Sequence, residues 1–335
     1  MAIFFQNIIF RKGDQEEMPN KILFFRKLAL SLSLVPLVWW GVSTNCSTLG
    51  FTGAYSFQAS RDGQGSLENI IGIPQEYIVE KGDTLLDIAR AYSFGVEEVK
   101  AVNPGVDPWV PPVGHKVLLP TQWVLPISSY QGIVINIPEL RLYYFFNSRT
   151  DRGFARIVKS FSIGLGEDDW QTPTGRYKVV GKEKNPTWYI PASIWKEGRY
   201  PKRIVPPGPD NPLGKYRLLL SLPSYGIHGT DWPWAVGRKF THGCIRLYPE
   251  DIEKLYYIVP AGTPVEITYQ PIKVGTKGTE VYIEVHPDIY GRIKNPFQTA
   301  INLLKQRGLL SRVDLDRLLK ALDEQNGLPK KISLD

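Results

Sequence analysis

From Gln131 onward the apolar residues of this 335-residue chain fall in short runs separated by turns that contain Gly or Pro. The runs at 133–137 and 141–146, on either side of Pro138-Glu139, predict a hairpin. Further strands are expected at 155–164, 175–180, 216–222, 226–228 and 264–269. Many short strands between such turns predict a β-rich domain, sandwich-like or barrel-like, over 131–270, so the fold class is mainly β or α+β. One interruption is helical. Ile252, Leu255, Tyr256 and Val259 mark its buried face, and Pro249 and Glu250-Asp251 suit its positive end. Beyond Gln270 the pattern predicts a strand at 280–285 and then two helices. Phe297, Ile301 and Leu304 form one stripe, stopped by Gly308; Leu315, Leu318, Leu319 and Leu322 form the other, started by Ser311 with Asp314 and stopped near Gly327 and Pro329. Residues 271–335 are therefore read as a C-terminal strand and a short helical tail whose stripes are packing surfaces.

Upstream the periodicity is different. Tyr77-Ile78-Val79 predicts a strand, Lys81-Gly82-Asp83 a turn, and residues 84–92 a helix with Leu85, Ile88 and Ala89 on one face and Asp83 or Thr84 as cap. A second helix is expected over 96–101, ended by Asn103-Pro104-Gly105, with a returning strand at Val117-Leu118-Leu119-Pro120. This small βααβ unit, residues 77–120, resembles a LysM module, with Gly82-Asp83-Thr84-Leu85, Ile88-Ala89, Asn103 and the terminal Leu-Pro in register. The resemblance implies binding to glycan strands that contain N-acetylglucosamine. Residues 47–76 begin with a stretch rich in Gly, Ser, Gln and Thr and are expected to form a mobile linker.

Residues 1–46 look like an export signal or an uncleaved N-terminal anchor. Lys21, Arg26 and Lys27 precede an apolar run from Leu28 to Val42, roughly 15 residues with Pro36 inside, which is short of the ~20 needed to span a bilayer. Met18 is a second candidate start. The segment predicts a periplasmic or cell-envelope location. The net charge of +7 comes from scattered Lys and Arg, with no basic block interleaved with aromatics, which argues against nucleic acid as a partner and suits an anionic polymer such as a cell wall. Cys46 follows the apolar run, but Ser43-Thr44-Asn45 does not resemble a lipidation box. The other cysteine, Cys244, is expected to be a free thiol.

Cys244 carries the chemistry. Ile227-His228-Gly229-Thr230 and Thr241-His242-Gly243-Cys244-Ile245-Arg246 gather two of the four histidines and one of the two cysteines into a short stretch. A cysteine performs acyl transfer as its thiolate, so it needs a base within hydrogen-bond reach, and glycine beside it lets a carbonyl approach the backbone. The paired strings resemble the signature of the L,D-transpeptidases, which cross-link bacterial peptidoglycan through a cysteine. Thr172-Pro173-Thr174-Gly175-Arg176-Tyr177 resembles a second recurrent segment of that domain, and by its residues is a good turn entering a strand.

The resemblance implies that Cys244 attacks the bond between a diamino acid and D-alanine in a stem peptide, and that no cofactor or metal takes part. It makes His228 the base, oriented by the backbone carbonyl of Gly229, and gives His242 an electrostatic or positioning role. Backbone N–H groups of Gly243 and Cys244 are candidates for an oxyanion hole. Arg246 either holds a substrate carboxylate or braces the loop through an ion pair. Trp232 matches an aromatic position of some members and either walls the cleft or packs. The interval between His228 and His242 is shorter than is usual for the family, which bears on the shape of that loop. The acceptor is a second stem peptide, a lipoprotein lysine, water or a free D-amino acid. Reaction with carbapenems is also implied. Two other readings exist. One is an inert LysM wall-binding adaptor; the other is a zinc protein using His228, His242 and Cys244 with Asp231, although that spacing matches no common finger or ribbon. For His115 and His286 structural roles suffice.

Overall fold

In the computed structural model, which describes residues 53–57, 68–150, 153–198 and 202–335, the apolar runs pair into one long mixed sheet. The described residues belong to a single unit, Leu49–Asp335. The expected signal or anchor and Cys46 lie outside the described residues.

The chain begins with β1 (Ala54–Ser56), β2 (Ile70–Gly72), β3 (Gln75–Ile78), α1 (Leu85–Ala91), α2 (Val96–Val102), β4 (Lys116–Leu119) and β5 (Gln122–Val124). There follow β6 (Gly132–Asn136), β7 (Arg141–Thr150), β8 (Gly153–Ser162), β9 (Leu165–Gly166), β10 (Gly175–Lys184), β11 (Trp188–Tyr189), α3 (Ala192–Trp195) and β12 (Ile204–Val205). Then come β13 (Tyr216–Leu220), β14 (Gly226–His228), β15 (Lys239–Thr241), β16 (Ile245–Arg246), α4 (Pro249–Ile258) and β17 (Pro264–Thr268). Among the described residues the main sheet has nine strands in the order β1-β8-β7-β6-β17-β10-β13-β14-β16. The β6–β17 and β14–β16 pairs are parallel.

A sandwich would need two facing sheets; here one sheet curls instead. Ile133, Ile135, Leu142 and Phe161 from one flank share a core with Leu218, Leu220, Ile227 and Ile245 from the other. Helix α4 closes the curl with Ile252 and Leu255. The burial pattern of β13, with Tyr216, Leu218 and Leu220 buried and Arg217 and Leu219 partly open, shows which face is core. On the opposite face stand Arg217 and its cross-strand partner His228.

Two expectations about the N-terminal half need correction. Residues 54–57 and 68–76 are not a structureless linker: β1 pairs with β8 at the sheet edge, β2 pairs with β5, and β3 begins at Gln75. The apolar residues Tyr55, Phe57 and Ile71 within this Gly/Ser-rich stretch explain the difference, since each enters the packing. Nor does the β3–α1–α2–β4 unit stand apart from the strands that follow. Its Leu85, Ile88, Phe94 and Val99 share one cluster with Trp123 of β5 and with Val134, Tyr143, Phe145 and Val158 on the outer face of β6–β8.

Polar contacts fix that docking. Arg141, 2 % exposed, pairs with Glu98 of α2 and lies 5.0 Å from the Phe94 ring centroid and 4.9 Å from that of Trp123. The other Glu98 oxygen takes the Ser162 hydroxyl at 2.7 Å and the Gly95 N–H at 3.1 Å. Arg90 forms a two-point pair with Glu250 at 2.8 and 3.1 Å, and the Tyr248 hydroxyl donates to the Phe94 carbonyl at 2.9 Å. A Cβ on Gly95 would come within 2.5 Å of the Gly237 Cα, so only glycine permits this approach of α2 to the loop between His228 and Cys244.

At the C-terminal end β18 (Ile272–Lys277), β19 (Glu280–Val285) and, after α5 (Pro296–Gln306) and α6 (Leu315–Glu324), β20 (Lys330–Lys331) form a three-stranded sheet. Only β19 was legible as a strand. On α6 the buried face is Leu318, Ala321 and Leu322, while Leu315 and Leu319 are about half exposed. The junction with the rest is ionic. Lys273 pairs with Glu139 and with Glu284 at 2.7 Å, and His286 sits 2.6 Å from Glu284. The donor atoms of Glu139, Glu284 and His286 lie within 4.8 Å of one another, and the Lys273 ammonium supplies the positive charge there. Burial pushes the Lys273 amine down to about 8 and lowers the His286 imidazole.

Candidate active site

The parallel register of β14 and β16 sets Ile227 beside Ile245 and His228 beside Arg246. The isoleucines point into the core, so His228 and Arg246 share the opposite face, and Cys244, one residue before β16, belongs to that face by alternation. His228 is 2 % exposed, and its Nδ1 lies 2.7 Å from the Gly229 carbonyl oxygen. A carbonyl only accepts, so Nδ1 carries the proton and Nε2 keeps its lone pair. Burial first, and then the positive charges of Arg246 and Arg217, hold the imidazole down to about 3. The ring is neutral across the physiological range.

Cys244 is half-buried and free of any disulfide. Its Sγ lies 3.7 Å from the Ser224 carbonyl oxygen. Burial pushes the thiol up; the Gly226 N–H and the Arg217 and Arg246 guanidinium groups pull the other way. A depressed imidazole and a raised thiol describe a neutral pair, with the proton on sulfur, rather than a resting thiolate–imidazolium pair.

The turn before the cysteine is pinned by hydroxyls. Thr241 Oγ1 accepts from the Gly243 N–H at 3.1 Å and donates to the Cys244 carbonyl at 2.7 Å. The Gly243 φ is +99°, and a Cβ there would lie 2.7 Å from the Tyr225 ring, so glycine is required twice over. The Gly243 N–H is held by Thr241, which leaves the Cys244 N–H as the other of the two expected oxyanion donors.

The structure separates His242 from the other two. Its Nε2 faces Glu197 at 2.7 Å, and its ring lies 5.4 Å from Trp170. With His242 Nε2 turned to Glu197, the zinc reading loses one of its ligands, and among the described residues the donor atoms of His228, His242, Cys244 and Asp231 do not gather into a metal-ligand cluster. Glu197 comes from a segment carrying β11, α3 and β12, which Asn211 ties together by donating to the carbonyls of Pro186 at 2.9 Å and Pro206 at 3.0 Å. No spacing in the sequence links residues 197 and 242.

Arg246 exchanges backbone hydrogen bonds with Gly164 at 2.8 and 2.9 Å, and its charge acts on His228, Asp231 and Cys244. Arg217 was not among the expected residues. It is paired across the strands with His228, and among the described residues its buried Nε has no hydrogen-bond partner. Trp232 is not packed away: it is 52 % exposed and meets Phe240 edge-on at 5.0 Å. With Trp234, Ala235, Arg238 and Phe240 it lines a shallow, mostly apolar recess on the loop between His228 and Cys244.

Against known proteins, residues 130–267 match YkuD, the L,D-transpeptidase catalytic domain. The chain is 34% identical over 278 residues to "Probable L,D-transpeptidase YcfS" of Escherichia coli, covering 78% of this chain and 84% of that protein. It is 32% identical over 311 residues to "Probable L,D-transpeptidase YbiS" of the same organism, covering 86% and 94%. Among solved structures, an L,D-transpeptidase from Mycobacterium tuberculosis shares 19% identity at a TM-score of 0.31, over 42% of this chain and 57% of that one.

Proposed function

Because this chain belongs to the L,D-transpeptidase family, we propose that it is an exported peptidoglycan transpeptidase that works through a Cys244 thioester. The observation that carries this reading is the His228 ring, neutral and held by the Gly229 carbonyl with Nε2 left as an acceptor, on the same sheet face as a free Cys244. In the first half-reaction the thiol proton passes to His228 Nε2 as sulfur bonds to the carbonyl carbon between the diamino acid and D-alanine. The carbonyl electron pair moves to oxygen, where the Cys244 N–H donates to it. Collapse re-forms the carbonyl, breaks the C–N bond, and D-alanine leaves as the free amine with the proton from His228. In the second half, an acceptor amine gives its proton to His228 while attacking the thioester, and sulfur leaves and is reprotonated.

Arg246, next to His228 in the β14–β16 register, suits the stem-peptide carboxylate, since guanidinium pairs with carboxylate at two points. Residues 77–120 act as a LysM module that holds the glycan, with exposed Trp109 and Val110 between α2 and β4 as the contact surface. Export rests on the sequence of residues 1–46, and the C-terminal sheet and helices serve as an extension that buttresses the domain. The acceptor is an amine of a second stem peptide or of a lipoprotein lysine.

The test is incubation with a defined disaccharide-tetrapeptide, with and without an amine acceptor, followed by mass analysis of products. Equimolar D-alanine and an acyl-transfer product are expected. A folded, thiol-reactive protein that leaves the tetrapeptide unchanged would refute the proposal.

A further inference from the structure

The Gly243–Cys244 peptide unit is anchored from behind. The Thr172 hydroxyl, fully buried, donates to the Gly243 carbonyl at 2.9 Å and accepts from the Gly166 N–H at 3.2 Å. In a trans peptide the carbonyl and the N–H point in opposite directions, so fixing the Gly243 oxygen against Thr172 aims the Cys244 N–H away from it. The other polar groups flanking the turn are tied already: Thr241 Oγ1 holds the Gly243 N–H and the Cys244 carbonyl. Thr172 thus fixes the remaining freedom, rotation of that one peptide plane, which a glycine at φ +99° does not itself restrain.

Thr172 is held in turn by the C-terminal half of the chain. The Tyr290 hydroxyl accepts from the Thr172 N–H at 3.3 Å and donates to the Gly166 carbonyl at 2.6 Å. Lys239 donates to the Ile289 carbonyl at 2.7 Å, and Arg292 donates to Gln171 at 2.7 Å while lying 5.2 Å from the Tyr290 ring centroid. The segment after β19 is therefore fastened to the loop that carries Thr172.

We propose that Thr172 is a positioning residue for acyl transfer: its hydroxyl aligns the Cys244 N–H with the oxyanion that forms when sulfur adds to the substrate carbonyl, and Tyr290 locks Thr172 in that setting. This rests on the acyl-enzyme reading above. It makes a prediction that a merely structural brace does not. Addition to a carbonyl builds negative charge on oxygen and needs the aligned N–H, whereas alkylation by iodoacetamide displaces iodide at a saturated carbon and builds no oxyanion.

The experiment compares the full-length protein with Thr172→Val, Thr172→Ser and Tyr290→Phe. Acylation of Cys244 by a carbapenem is timed by intact mass, its alkylation by iodoacetamide is timed in parallel, and kcat and KM are measured with the tetrapeptide. For Thr172→Val, acylation and kcat should fall about 10-fold to 100-fold, up to the low end of deleting an oxyanion donor, with KM and the alkylation rate within about twofold of the parent. Thr172→Ser keeps the hydroxyl and should restore most of the loss. Tyr290→Phe should fall in the same direction by less, and it carries the test if the valine variant does not fold. Equal losses in acylation and alkylation, or no loss of acylation in Thr172→Val or Tyr290→Phe, would overturn the inference while leaving the acyl-enzyme reading intact. A parent protein that is alkylated but never acylated would overturn both.

Discussion

His228→Ala should slow acylation of Cys244 at pH 7 by about 100-fold to 10,000-fold, the usual worth of a positioned general base. The size of the defect should depend on pH in a defined sense. With the imidazole held down at about 3 and the thiol pushed up by burial, the dominant form of the parent near neutrality is a protonated thiol beside a neutral ring. That form is the reactive one, so the parent rate should be nearly flat between pH 6 and pH 8. Without the imidazole only the free thiolate reacts. Its fraction grows about tenfold for each pH unit below the thiol pKa, and the variant should recover along that slope. Stopped-flow acylation from pH 5.5 to 9.5 decides the matter. Parallel profiles for parent and variant would assign His228 a structural role instead.

Deleting residues 77–120 should abolish turnover of even a small soluble stem peptide, because the module is part of the fold that holds the site. Removal of α2 takes Glu98 from Arg141, and stripping one partner from a buried ion pair costs about 3–5 kcal/mol. It also uncovers Val134, Tyr143, Phe145 and Val158 on the outer face of β6–β8. Against a typical stability of about 5–15 kcal/mol, these losses together should unfold or aggregate the remainder. The α2 contact at Gly95–Gly237 would vanish with it, freeing the loop between His228 and Cys244. Circular dichroism melting and tetrapeptide turnover of the deletion protein measure this; a stable, active remainder would show that the module is separable. Trp109→Ala, on the exposed surface of the same module, should keep the fold and weaken sedimentation with purified sacculi.

Much of this was legible in the chain. The strand at 226–228, the strand at 133–137 and the helix after Pro249 emerge where the apolar spacing puts them. The Gly229 carbonyl meets the His228 ring as the family resemblance implies. What was not legible depends on contacts distant in sequence. Glu197 reaches His242 across 45 positions from a Pro-rich segment with no apolar period, and Arg217 becomes a site neighbour only once β13 and β14 pair. Thr172 stood out only as a turn residue, and its bond to Gly243 spans 71 positions. The Gly/Ser-rich stretch before β3 misled because a few aromatic and aliphatic residues outweigh composition when a sheet edge is at hand.

The central claim is a covalent intermediate on one sulfur. Rapid quenching of the protein with a disaccharide-tetrapeptide, followed by intact mass and peptide mapping, tests it most directly. The expected result is an adduct equal to the donor without D-alanine, confined to the peptide that contains Cys244 and absent from Cys244→Ala, whose small side chain leaves the fold in place. D-Alanine release by Cys244→Ala at the parent rate, or an adduct mapped to any other residue, would contradict it.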